Sequence, residues 1–207
     1  PLWGNAVAGT WVDAIEEAGE PARAMSGVVG NYITAARRAP VTIVDDDGLE
    51  RDVDFGLVGD VVSVDALAIS EQLSQGVIPV LSPLARSDEG AVLNVNADTI
   101  AAEVAKAIGA AKLILMTRGA GILSDPADEN SALHWADLPE LDRLNQAGVL
   151  SRGMRPKVDA IRAALLGGVA RVHVVDGRRR GALLEEVFTT QGSGTLVVRA
   201  SEVTPPE

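Results

Sequence analysis

Residues 93–117, LNVNADTIAAEVAKAIGAAKLILMT, constrain the fold more than any other stretch of this chain. They place a polar turn, an amphipathic helix and an apolar strand in immediate succession. Asn94, Asn96 and Asp98 occupy the turn. Ile100, Ala101, Val104, Ala105 and Ile108 recur at helical spacing and predict one buried face. Gly109 supplies the conformation in which helices end. Leu113, Ile114, Leu115 and Met116 then predict a buried strand. A helix start beside a strand end presents unpaired N–H groups and the positive end of the helix dipole, so it favours anions. The stretch therefore predicts an α/β protein with an anion-binding turn.

The same alternation runs through the rest of the sequence. Residues 1–19 predict a helix with an apolar stripe at Val7, Trp11, Val12 and Ile15, ending at Gly19. Residues 22–26, 31–35 and 41–44 predict strands. Asp45, Asp46 and Asp47 with Gly48 invite a cation-site reading, but a solvated hairpin turn explains them better. Residues 52–64 predict a strand with a bulge or a close backbone approach at Gly56 and Gly59. Asp65 caps a predicted helix that ends at Gly76, with Leu67, Ile69 and Leu73 apolar. Residues 77–81 predict a short buried strand, and Asp88, Glu89 and Gly90 a hairpin turn. Beyond residue 117 the sequence predicts helices at 137–147, 157–166 and 182–188, and strands at 171–176 and 195–198. Crossover lengths of this kind imply a three-layer α/β/α sandwich with a mostly parallel central sheet. Hairpins at 31–64 and 82–94 add antiparallel pieces. No linker divides the chain, so residues 1–200 are expected to form a single domain, with 201–207 a polar tail.

Composition narrows the chemistry. Net charge is −11, which argues against a nucleic-acid or anionic-membrane surface. There is no cysteine, so thiolate nucleophiles, thiolate metal sites and disulfides are excluded. Two histidines, His134 and His173, make a multi-histidine metal centre unattractive; no protein-held metal is expected. His173 alternates with apolar residues and is expected to be a packed strand residue rather than a base. No apolar run reaches membrane-spanning length and no signal peptide is visible, so a cytoplasmic location is expected. The chain begins at Pro1 inside a helical pattern, which suggests a fragment.

Two further features bear on a ligand. Arg118, Gly119, Ala120, Gly121, Ile122 and Leu123 follow the apolar strand, where α/β proteins often meet a phosphate or nucleotide. Glycine pairs are common in turns, so this signal alone decides little. Lys157 sits just after Pro156 at a helix start, the wrong end of the dipole for a cation unless an anion is to be met there. The basic run Arg178, Arg179 and Arg180 could help hold a nucleotide, with a solvated turn as the ordinary explanation.

Six segments in order carry a resemblance: NAVAGT at 5–10, SGVVG at 26–30, GLVGDV at 56–61, NVNADT at 94–99, GMRPKV at 153–158 and GSGT at 192–195. In these the chain resembles the amino-acid kinase family, and within it the kinases that act on N-acetylglutamate. The resemblance implies that ATP, with Mg2+ carried by the nucleotide, phosphorylates the side-chain carboxylate of an N-acylated glutamate in arginine biosynthesis. Two anions are forced together in that step, so catalysis rests on positioning and electrostatic stabilisation. By the resemblance Asn94 binds the amino-acid substrate, Asp98 orients catalytic lysines, and Lys157 neutralises the transferring phosphoryl group. Residues 118–123 resemble the nucleotide loop, and Val149, Leu150 and Ser151 a second nucleotide contact. A homodimer or higher homo-oligomer is also implied.

The sequence departs from the family twice. The Lys-x-Gly-Gly segment of the family's first strand is not among these residues, nor are the later Gly-Gly turn and substrate arginine. The 207 residues by themselves are therefore expected to be inactive. The nucleotide loop has Arg118 where the family usually has aspartate. The alternative reading is a non-catalytic, amino-acid-binding regulatory domain, as in N-acetylglutamate synthase.

Overall fold

The computed structural model describes residues 3–44, 48–151 and 153–200. The three aspartates at 45–47 and the tail at 201–207 lie outside the described residues. The chain forms two compact units, Pro1–Ile100 and Ala101–Glu207.

The first unit opens with helix α1 (Trp3–Glu17) and strand β1 (Ala22–Met25). Strands β2 (Ile33–Arg37), β3 (Val41–Val44), β4 (Glu50–Val53) and β5 (Gly59–Val64) follow. Helix α2 (Ala66–Ser74) leads into β6 (Ile78–Leu81), β7 (Leu84–Arg86) and β8 (Val92–Asn94). β1 and β6 pair in parallel, joined in the chain through α2. A second sheet has the order β5-β2-β7-β8, and β3–β4 is a separate antiparallel hairpin. The expected antiparallel pieces are thus the β2–β5, β3–β4 and β7–β8 pairs. A bulge is present, but at Val62, which is skipped between the Thr34–Ser63 and Ala35–Val61 pairs, and not at Gly56 or Gly59. Gly59 makes the close approach: a Cβ on it would lie 2.9 Å from Leu93 Cδ1.

Helix α3 (Ala97–Ala107) is followed in the second unit by β9 (Lys112–Thr117), β10 (Trp135–Asp137) and α4 (Leu138–Gln146). Then come α5 (Arg155–Leu166), β11 (Arg171–Asp176), α6 (Ala182–Phe188) and β12 (Thr195–Val198). The sheet order is β10-β12-β11-β9, with β9–β11 and β10–β12 parallel and β11–β12 antiparallel. The core gathers Leu113, Leu115, Leu141, Ile161, Leu165, Val172 and Val174 from the sheet and from α4 and α5. Its aliphatic make-up follows from a chain with 3% aromatic residues.

Helix boundaries match the expected ones closely; helix faces match less well. Among the described side chains of α1 Ala8 is the buried one, while Val7 and Trp11 are 54% and 61% exposed. The inward stripe is Ala8, Val12 and Ile15, which also has helical spacing. In α2 only Ile69 is buried, and Leu67 and Leu73 face outward. In α3 the fully covered positions are Ile100, Ala102 and Ala105 rather than Ala101 and Val104. Side chains alternate between the two faces of β9, so Leu113 and Leu115 are buried while Met116 is exposed.

Burial separates two expected outcomes. Ile161 is fully buried in α5, so Ile161→Ala should cost about 3 kcal/mol through lost contacts and a residual cavity. Leu184 is 63% exposed on α6, and Leu184→Ala should change stability by less than about 0.5 kcal/mol. Urea unfolding of the two variants checks this contrast.

Candidate functional site

The second unit builds a cavity around the end of β9. Thr117 closes the strand, and the chain turns through Gly119 and Gly121. Gly121 has φ of +131°, and a Cβ there would lie 2.6 Å from Thr195 Oγ1, so only glycine fits. The Thr195 hydroxyl is buried and does two jobs. It accepts from the Ile122 N–H at 2.9 Å and donates to the Leu133 carbonyl at 2.5 Å. Leu133 N–H in turn donates to the Ile122 carbonyl at 2.8 Å. Beyond Leu123 the loop folds on itself. The Ser131 hydroxyl reaches the carbonyls of Asp125 and Asp128, and Asp128 Oδ1 accepts from the Asn130 N–H.

The opposite wall comes from the connection between α4 and α5. Leu150 is buried, and the Ser151 carbonyl accepts from the N–H groups of Met154 and Arg155 at the α5 start. Between the two walls lies a cavity of about 120 Å³. Gly119, Ala120, Gly121, Leu123, Val149, Leu150 and Ser151 all line it, so the two segments singled out from sequence converge on one space. Ile122 does not line it: its side chain is fully buried and its N–H is taken by Thr195. Arg118 is exposed just outside the lining. Pro126, Glu129 and Met154 line the cavity and escaped the sequence reading. Met154 belongs to the GMRPKV segment at 153–158, whereas nothing in the local sequence marks Pro126 or Glu129.

Lys157 is the third residue of α5 and only 8% exposed. Lysine is seldom buried so far without a charge to meet. In the first unit, Asn94 ends β8, is exposed, and donates its N–H to the Leu57 carbonyl at 2.8 Å. It lines a cavity of about 490 Å³ with Leu57, Leu84, Ala91 and Val92. Asp98 is half-buried in the first turn of α3, where the dipole favours a carboxylate. The cap of that helix is Asn96, whose Oδ1 accepts from the Thr99 N–H at 3.1 Å.

His173 is a packed strand residue, as expected. It is 7% exposed, and its Nδ1 lies 2.5 Å from Glu186 Oε1. Glu186 also accepts from the N–H groups of Ser193 at 2.6 Å and Gly194 at 2.9 Å. Burial pushes the Glu186 carboxyl up, but these N–H groups and His173 outweigh it and hold the carboxyl below its ordinary value. The pair borders a second cavity of about 410 Å³, at the opposite end of β9 and β11 from the first. Two ring nitrogens at this cavity, Trp135 Nε1 and His173 Nε2, are buried without a hydrogen-bond partner. In the basic run, Arg178 forks onto Asp176 and Arg179 pairs with Glu185, which fits the solvated-turn explanation. Among the described residues no group of three or more His, Asp or Glu side chains could hold a metal ion, and no helix is long and apolar enough to cross a membrane.

An α/β fold with a glycine loop after a strand and a lysine at a helix start narrows the class. The chain belongs to the amino acid kinase family, whose family model matches residues 5–176. It is 43% identical to the acetylglutamate kinase of Myxococcus xanthus, over 92% of this chain and 62% of that protein. It is 44% identical to the acetylglutamate kinase of Bifidobacterium longum, over 90% of this chain and 59% of that protein. The chain thus spans less than two thirds of the length of these curated relatives. Among solved structures it is similar to N-acetylglutamate synthase from Neisseria gonorrhoeae complexed with coenzyme A and N-acetylglutamate. That match has a TM-score of 0.76 and 29% identity, and covers 96% of this chain and 43% of that one.

Two substitutions test how the second unit is held. Thr195→Val keeps the shape but strands the Ile122 N–H and the Leu133 carbonyl, and should cost about 2 kcal/mol in urea unfolding. Glu186, with its carboxyl held down in the folded state, contributes stability that is present above its ordinary value of 4.5 and is lost as pH falls through the lowered one. Glu186→Gln should therefore narrow the difference between urea midpoints measured at about pH 7 and about pH 3.

Proposed function

We propose that this chain is part of an acetylglutamate kinase, which transfers the γ-phosphoryl group of MgATP to the side-chain carboxylate of N-acetylglutamate in arginine biosynthesis. The products are an acyl phosphate and ADP. The observation that carries this reading is the convergence of Gly119, Ala120, Gly121 and Leu123 with Val149, Leu150 and Ser151 on one cavity beside a strand end. The curated relatives' names supply the substrate.

The chemistry suits the residues. Attack of a carboxylate on a phosphoryl group needs charge neutralisation and alignment more than proton transfer. In this reading the N–H groups of the Gly119–Gly121 turn and the Arg118 guanidinium meet the nucleotide phosphates. Mg2+ arrives on the nucleotide. The Lys157 ammonium, at the start of α5, offsets charge on the transferring group. Asp98 orients catalytic lysine side chains, and Asn94 holds the amino-acid substrate. Residues 1–200 then serve as a single kinase domain, and the protein acts in the cytoplasm as a homodimer or higher homo-oligomer.

A hydroxylamine assay for acyl phosphate, run on the full-length protein with N-acetylglutamate, tests the activity. Lys157→Ala should lower kcat by about 100-fold or more while the KM for N-acetylglutamate stays within about threefold, because the ammonium acts mainly on charge that develops in the transition state. An unchanged kcat would remove Lys157 from the catalytic assignment.

A further inference from the structure

The first cavity is apolar apart from its glycine turn and Ser151, yet one charged side chain lines it, that of Glu129. A carboxylate is a poor neighbour for a triphosphate, since like charges in a partly dry cavity repel. Its presence has to be reconciled with a nucleotide. A carboxylate only accepts hydrogen bonds, so Glu129 suits the part of a nucleotide that donates them.

Position says which part. The glycine turn lines the cavity directly after β9. Glu129 comes later in the loop, at the start of the short 3-10 turn Glu129–Ser131. That turn is held by the Asp128 cap and by the Ser131 hydroxyl, so its position does not depend on the Glu129 side chain. Among the described residues the Glu129 carboxylate makes no hydrogen bond or ion pair; Arg178 feels its charge without touching it. Glu129 is exposed, so it stands at the mouth. At about 120 Å³ the cavity is well below the roughly 300–1,000 Å³ usual for a whole drug-sized ligand. It has room for a base among Leu123, Pro126, Leu150 and Met154, which leaves the ribose at the mouth beside Glu129.

We propose that Glu129 is the ribose-reading residue of this cavity: its carboxylate accepts hydrogen bonds from the 2′- and 3′-hydroxyls and makes the site select ribonucleotides over deoxyribonucleotides. This rests on the reading of the cavity as the nucleotide pocket. The physical basis is that a charge-assisted hydrogen bond discriminates sharply against a ligand lacking the donor.

The test is calorimetric titration of the full-length protein with ADP, 2′-deoxy-ADP, 3′-deoxy-ADP and IDP. The unchanged protein should bind each deoxy analogue about tenfold more weakly than ADP. Glu129→Ala should bind ADP about tenfold more weakly than the unchanged protein and treat ADP and both deoxy analogues alike. Glu129→Gln, which keeps an uncharged acceptor, should fall between the two. Equal binding of ADP and both deoxy analogues by the unchanged protein would overturn the assignment. So would discrimination that survives Glu129→Ala. Loss of a preference for ADP over IDP in Glu129→Ala, with ribose discrimination intact, would place the carboxylate on the base amine instead. Failure of the unchanged protein to bind ADP at all would overturn the nucleotide reading itself.

Discussion

One buried hydroxyl holds the loop on which the candidate pocket depends. Thr195 stands on β12, yet its Oγ1 takes the Ile122 N–H and gives its proton to Leu133. The two loop segments it joins are bonded to each other as well, through Leu133 N–H and the Ile122 carbonyl. With Ile122 drawn into the core, the residues on either side of it are left to line the cavity. Gly121 passes so close to the same hydroxyl that no side chain could be accommodated. The shape of the loop is thus set by a residue more than seventy positions away.

The charges of the second unit are arranged around the two ends of one parallel strand pair. At the C-terminal end of β9 the cavity is lined by backbone, aliphatic groups and one carboxylate, with Arg118 just outside. At the N-terminal end lie Lys112, Arg171 and the His173–Glu186 pair. Within the pair, Glu186 takes two backbone N–H groups and an imidazole. A protein of net charge −11 therefore keeps local cationic groups at both ends of this strand pair. The overall charge says little about either place, because screening confines each group's influence to about a Debye length.

Much of this was legible in the residues. The extent of β11 and the Asp65 cap follow from local rules, since capping and glycine stops act within one turn. The buried face of α5 was also legible, because Val158, Ile161 and Leu165 leave no rival stripe. In α1 two stripes compete, and the smaller Ala8 faces inward while Trp11 does not. Local spacing could not choose, because the choice depends on which face packs against β1 and β6. The Asn96 cap illustrates the same limit: three polar residues on one turn all qualify, and only the backbone path selects one.

The candidate site divides along the same line. By itself the sequence determined the α/β class, the glycine turn after β9 and the lysine at the α5 start, because each depends on residue types at short spacing. Tertiary structure alone decided that residues 119–121 and Leu123 share a cavity with residues 149–151, that Pro126 and Glu129 complete its lining, and that Ile122 is withdrawn from it. Those outcomes depend on contacts between distant segments, and a side chain's direction in a loop is set by what the loop is tied to.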